Sequence, residues 1–225
     1  MTAPTVLVVG ASRGLGLEFV RQYAADGSRV IATHRAPADG ERLRRLGAEP
    51  QSLDVLDEAS LAALGRRLAG ERLDLAIVSA GIFGPRTAGA EAPAAADFDV
   101  VMRTNVLAPM RLIALLAPLL DSGSRLAVLS SRMGSVSLMQ SPSGWLYRAS
   151  KAAVNCVLKA ASIELGGRGI VCTALHPGWV RTDMGGAAAD IEVAESVAGM
   201  RRVLAAAGAS ANGRFFGHDG SEIAW

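Results

Sequence analysis

Short apolar runs alternate with helix-length amphipathic stretches along all 225 residues of this chain, and few architectures accept that order. Strand patterns read at residues 5–9, 29–33, 73–79, 125–130, 170–175 and 213–216, with a weaker one at 50–53. Several are nearly continuous in apolar, β-branched residues, as strands covered on both faces are. Helix patterns read at 14–26, 40–47, 58–69, 97–120, 145–166 and 190–207. The alternation predicts an α/β doubly wound parallel sheet of about seven strands with helices on both faces. No linker or repeat interrupts it, so residues 1–225 are expected to form one domain. The Ala/Pro-rich piece 88–96 reads as a loop, with Asp97 as the N-cap of the helix after it.

Composition narrows the function. The 23 basic and 21 acidic residues leave a formal charge of +2, without the basic patch that nucleic acid needs. Cys156 and Cys172 have no metal-ligand spacing, and neither do His34, His176 and His218, so no metal is expected. The N-terminus has no basic segment ahead of an apolar one, and charge-free runs such as 112–120 fall short of a membrane span. A cytoplasmic protein that touches neither membrane nor nucleic acid is the expectation. Of the basic residues only Lys151 and Lys159 are lysine. A lysine that persists against such an arginine bias carries more information than usual.

The first strand runs directly into Gly10-Ala11-Ser12-Arg13-Gly14-Leu15-Gly16 and a helix. Glycines at i, i+4 and i+6 let backbone N–H groups and the helix N-terminus approach a pyrophosphate. Neither G-x-G-x-x-G nor the Walker lysine is present. The same residues satisfy G-x-S-x-G, the nucleophile elbow of serine hydrolases, with Asp183 or Asp190 and then His218 in matching order. With only nine residues ahead of it, that elbow lacks the upstream strand that supplies an oxyanion hole. The phosphate-cradling reading is the stronger.

An acidic residue about 20 positions after such a turn receives the ribose 2′-OH of NAD. Between Glu18 and Asp39 the one carboxylate is Asp26, ahead of the second strand. Arg35 stands at that strand's end, and Arg13 lies inside the glycine turn. Two guanidinium groups there predict NADP(H) over NAD(H), through charge-assisted bonds to a 2′-phosphate.

Tyr147 and Lys151 are four apart in a helix pattern, hence on one face. The chain has two tyrosines and two lysines, which makes an accidental pairing rarer. A nearby ammonium favours phenolate and eases proton donation. Ser130 and Ser131 close a strand upstream, at the edge where such sheets meet ligands.

With these residues in view the chain resembles the short-chain dehydrogenase/reductase family over nearly its full length. The matching motifs are Gly10-x-x-x-Gly14-x-Gly16, Leu53-Asp54-Val55, Ser79-Ala80-Gly81, Asn105, Ser130-Ser131-x-x-Gly134, Tyr147-x-x-x-Lys151 and His176-Pro177-Gly178. Residues 176–186 and 215–225 look most like the carbonyl-reductase (sniffer) and C-factor branch. The resemblance implies a Rossmann-type fold and interconversion of a small carbonyl and an alcohol by hydride transfer. It implies Tyr147 as general acid/base and Lys151 as holder of the nicotinamide ribose that lowers the tyrosine pKa. Ser131 would orient the substrate oxygen, and Asn105 would support a proton-relay water. Ser12, Leu15 and the other turn residues would hold the pyrophosphate, Asp54 and Val55 the adenine. Ala80 and Gly81 would let the backbone approach the cofactor, and Pro177, Gly178, Val180 and Thr182 would line the nicotinamide. A C-factor-type signalling protein that binds the nucleotide is the alternative.

Two departures stand out. Val78-Ser79 replaces the family's pair of asparagines, and the interval from Ser131 to Tyr147 is long. Met133 and Trp179 are candidate substrate contacts. Helices 97–120 and 145–166 carry more small apolar surface than one sheet needs, so a homodimer or homotetramer through them is weighed against burial within the monomer.

Overall fold

The computed structural model describes residues 3–89 and 91–225. Seven strands, β1 (Thr5–Val9), β2 (Arg29–His34), β3 (Glu49–Ser52), β4 (Leu73–Val78), β5 (Leu120–Leu129), β6 (Val171–His176) and β7 (Arg214–Gly217), form one sheet. Its order is β3-β2-β1-β4-β5-β6-β7, and every pairing is parallel. The strand order reverses between β1 and β4, the point at which open α/β sheets bind their ligands.

The helices are α1 (Gly14–Ala25), α2 (Pro37–Arg45), α3 (Glu58–Arg67), α4 (Ala95–Met102), α5 (Ala108–Leu116), α6 (Trp145–Gly166) and α7 (Val193–Ala206). Period-2 alternation on β1 sorts them into two layers. Val6 and Val8 pack with Phe19, Leu43 and Met200 of α1, α2 and α7. Leu7 and Val9 face the opposite way, towards Leu64, Leu116 and Leu158 of α3, α5 and α6.

Three boundaries differ from expectation for physical reasons. Asp97 lies in the first turn of α4, not at its N-cap, which is Ala94; there its charge complements the helix dipole. Helix 97–120 starts earlier and is interrupted by a π-turn, Arg103–Leu107, between α4 and α5. β5 begins at Leu120, because a register shift opposite Leu73 and Leu75 absorbs the turn-like residues around Gly123. An 18-residue window within the continuous helical stretch Ala95–Leu119 has a mean hydropathy of 1.5, so the stretch is long and apolar enough by composition to cross a membrane. Its Leu112 and Leu116 are fully buried in the core between helix and sheet.

Candidate active site

At the carboxyl edge of β1 and β4 the chain leaves a cleft of about 580 Å³. Its floor is the glycine turn. Gly10 has φ +86°, and a Cβ there would lie 2.7 Å from the Ala80 nitrogen, so the residue after β1 and the loop after β4 meet backbone to backbone. The Gly10 N–H donates to Thr33 Oγ1 at 2.9 Å, and a Cβ on Gly16 would overlap the Gly10 carbonyl. Side chains are thereby excluded where strand becomes helix, and backbone donors line the floor. Ser12, Arg13, Gly14, Leu15 and Gly16 line the cleft, as do Asp54, Val55, Ala80, Gly81 and Thr182. Gly14 faces Thr182 across it at 3.6 Å from an added Cβ. A dinucleotide fits this trough: bare backbone under its middle, apolar Leu53, Val55 and Leu56 at one end, Gly81 and Ile82 at the other.

The first end carries more charge than Arg13 and Arg35. Arg42 of α2 lines the same recess with Ser12, Arg13, Arg35 and Asp39. Its Nη2 donates to the Ser12 carbonyl and, at 2.8 Å, to Asp39 Oδ1, while its Nε is buried without a partner. Sequence reasoning missed Arg42, because its position seven residues beyond Arg35 gains meaning only when α2 folds back on the glycine turn. A carboxylate also reaches this end: Asp183, from the loop after β6, pairs with Arg13 at 2.5 Å. It is 170 residues away in the chain, far from the second strand.

At the other end lie Ser131, Tyr147, Lys151 and Asn105. Tyr147 and Lys151 are both buried on α6, with Lys151 Nζ 5.7 Å from the tyrosine ring centre. Lys151 donates to the Leu129 carbonyl at 2.9 Å. Burial without a carboxylate partner pulls its pKa down to about 8. Burial also pushes the Tyr147 phenol up to about 12; the Ser131 side chain acts the other way and is the smaller effect. The lysine was expected to lower this pKa, and in the protein by itself desolvation of the phenol wins. Ser131 caps a 3-10 turn, accepting from the Met133 N–H at 3.2 Å. Asn105 sits in the π-turn, which rotates it inward: its Oδ1 accepts from the Ile82 N–H at 2.9 Å, and its Nδ2 donates to the Ile82 carbonyl at 2.8 Å and to Ser150 Oγ at 3.0 Å. A Cβ on Gly81 would lie 3.4 Å from Asn105 Oδ1 and 3.5 Å from Lys151 Nζ, which joins the cleft to these groups.

Other residues fall differently. Pro177, Gly178 and Val180 form the turn that leads to Thr182, with Val180 buried and bridged to Ile191. Trp179 is half exposed and donates its indole N–H to the Gly185 carbonyl at 2.9 Å. Met133 and Phe83 both lie against Gly144. Phe83, which sequence reasoning did not single out, stacks on the Tyr147 ring with centroids 4.4 Å apart. The hydrolase reading gains no geometry: His218 lies beside Gly178 and Gly199, and Ser12 makes no hydrogen bond with it among the described residues.

A doubly wound sheet with a glycine turn at its switch point and a Ser–Tyr–Lys set beside it defines the nucleotide-dependent oxidoreductases. The family model for short chain dehydrogenases matches residues 4–192, and the chain belongs to that family. It is similar to the C-signal protein of Myxococcus xanthus, 39% identical over 132 residues, covering 58% of this chain and 80% of that one. The carbonyl reductase Sniffer of D. melanogaster superposes over all of both chains with a TM-score of 0.91 at 27% identity. A carbonyl reductase from Pseudomonas aeruginosa PAO1 in complex with NADP gives 0.87 at 33%, again over all of both chains.

Proposed function

We propose that this protein is an NADP(H)-dependent carbonyl reductase of small molecules. The observation that carries the reading is the buried Ser131–Tyr147–Lys151 set standing where the cleft meets Gly81. A nicotinamide dinucleotide, when bound, supplies the hydride. Tyr147 holds its proton at neutral pH and delivers it from the phenol oxygen to the substrate carbonyl oxygen. Ser131 Oγ donates a hydrogen bond to the same oxygen and orients it. Lys151 holds positive charge beside the phenol, which stabilises the phenolate left behind. Asn105 braces the Ile82 backbone and, in this reading, supports a water that refills the relay. Arg13, Arg35 and Arg42 receive the 2′-phosphate, Asp183 and Asp39 acting as their counterions until it arrives.

A second reading, a nucleotide-binding signalling protein, draws support from the similarity to the C-signal protein. Oxidation of NADPH by purified protein against a panel of aldehydes, ketones and quinones separates the two. Turnover that depends on Tyr147 supports the reductase; tight NADPH binding with no turnover on any carbonyl overturns it.

A further inference from the structure

We propose that the carbonyl substrates of this site carry an anionic group, a carboxylate in the simplest case, at the end remote from the carbonyl, and that Arg86 receives it. The inference rests on the reductase reading above. It begins with a stack. Phe83 lies 4.4 Å from the Tyr147 ring, nearly parallel at 18°, and the Arg86 guanidinium carbon lies 4.6 Å from the centre of Phe83. Arg86 therefore stands two stacking steps from the proton donor, the span of a short aromatic or alkyl substrate. Its Nη2 donates to the Met184 carbonyl at 2.6 Å. That bond ties the loop after β4 to the loop after β6, the two walls between which a substrate enters. The remaining donors of this exposed guanidinium have no carboxylate partner among the described residues.

Charge distribution points the same way. No Asp or Glu occurs between Asp74 and Glu91, or between Asp121 and Glu164. Those two segments supply Phe83, Arg86, Ser131, Met133, Tyr147 and Lys151, and they carry Arg132 and Arg148 as well. The third wall, after β6, has Asp183 paired with Arg13 and Glu192 paired with Arg181, leaving Asp190; Asp97 and Asp99 lie on α4. The chain is close to neutral overall, so an acid-free substrate side is a local feature. A field of that sign raises the encounter rate of an anion and selects its orientation. Arg148 is committed to the Ser143 and Met133 carbonyls. Arg86 is the cation stacked on the ring that covers Tyr147. Its planar fork can stack on Phe83 and still present N–H groups edge-on to a carboxylate.

The test uses the full-length protein with NADPH and two matched pairs, 4-carboxybenzaldehyde and the longer 4-formylcinnamate, each against its methyl ester, with benzaldehyde as the neutral reference. For at least one pair the free acid should exceed the ester at least tenfold in kcat/KM at low salt, the scale of one charge-assisted hydrogen bond. Salt should erode the preference. In Arg86→Gln the acid-to-ester ratio should fall towards one, mainly through KM, and Arg86→Lys should recover part of it. Circular dichroism checks that both variants are folded. Esters reduced as well as acids in the wild type, or a ratio unmoved in Arg86→Gln, overturns the inference and leaves the reductase reading intact. If no member of the panel is reduced, the reductase reading falls and takes this inference with it.

Discussion

Tyr147 and Lys151 show how far burial can govern a pair of titratable side chains. The phenol is pushed up to about 12 and the ammonium down to about 8 by the same loss of water. At neutral pH the tyrosine keeps its proton and the lysine its charge, the pairing a proton donor needs. Tyr147→Phe removes one hydroxyl and keeps the ring stacked under Phe83, so cofactor affinity should persist while kcat falls ~10²-fold or more; stopped-flow or steady-state NADPH oxidation reads it. The lysine also makes a stability prediction. Below about pH 8 native and unfolded chains both carry its proton, and the cost of a buried charge is present in full. Between about 8 and the ordinary lysine value of 10.5 the native state gives up the proton while the unfolded state keeps it. Stability of the cofactor-free protein should therefore rise with pH there, by up to ~1.4 kcal/mol per pH unit from this group. Urea denaturation between pH 7.5 and 9.5, below the tyrosine titration, should show a more positive slope for wild type than for Lys151→Met. Parallel slopes would mean that the ammonium is not desolvated.

Among the elements, the π-turn at Arg103–Leu107 has the largest consequence for the site. One extra residue in the turn rotates Asn105 towards the sheet, where it meets both backbone polar groups of Ile82 and the hydroxyl of Ser150. The loop after β4 thus hangs on one amide. This chain lacks the family's paired asparagines at Val78-Ser79, where the Ser79 main-chain N–H donates to the Val9 carbonyl at 2.9 Å. Asn105→Ala leaves the Ile82 N–H and C=O unpaired, each such group costing about 1–3 kcal/mol. A loss of roughly 2–4 kcal/mol in unfolding free energy is expected, against about 1 kcal/mol for Ser150→Ala. If the two variants lose the same amount, Asn105 is not the brace described here.

At the scale of the whole molecule, the cleft at the edge of β1 and β4 is where distant parts of the chain close on one another. The Arg13–Asp183 pair spans it with side chains 70% and 75% exposed, so the bond itself adds little stability and is readily exchanged for a ligand phosphate. NADPH at one hundred times its Kd should add about 2.7 kcal/mol to unfolding free energy, roughly 5–10 °C in Tm at this chain length. NADH at the same concentration should shift Tm less. Arg35→Asp should abolish the difference, since a carboxylate beside Arg13 and Arg42 repels a 2′-phosphate, and Arg42→Ala should reduce it. Scanning fluorimetry with both cofactors reads all three proteins. Equal shifts for NADPH and NADH in wild type would remove the basis for an NADP preference.

Much of this was legible in the residues in order. Hydrophobic periodicity marked most strands and helices to within a few positions, since period 2 and period 3.6 are local properties, but not the early start of β5 or the π-turn that divides α4 from α5. The glycine turn declared itself because only missing side chains allow Gly10 to meet Ala80. Tyr147 and Lys151 were paired by one helical turn, and the motifs around them pointed to the family. What tertiary structure alone decided was which distant residues meet. Arg42 reaches Ser12 because α2 packs back on the sheet. Asp183 reaches Arg13 because the loops after β1 and β6 share one edge. Phe83 covers Tyr147, and Arg86 covers Phe83, because the loop after β4 folds over α6. Those approaches depend on the relative positions of packed elements, and no spacing along the chain encodes them. The same packing removes water from Tyr147 and Lys151, and so reverses the direction in which their neighbourhood alone would have moved the phenol.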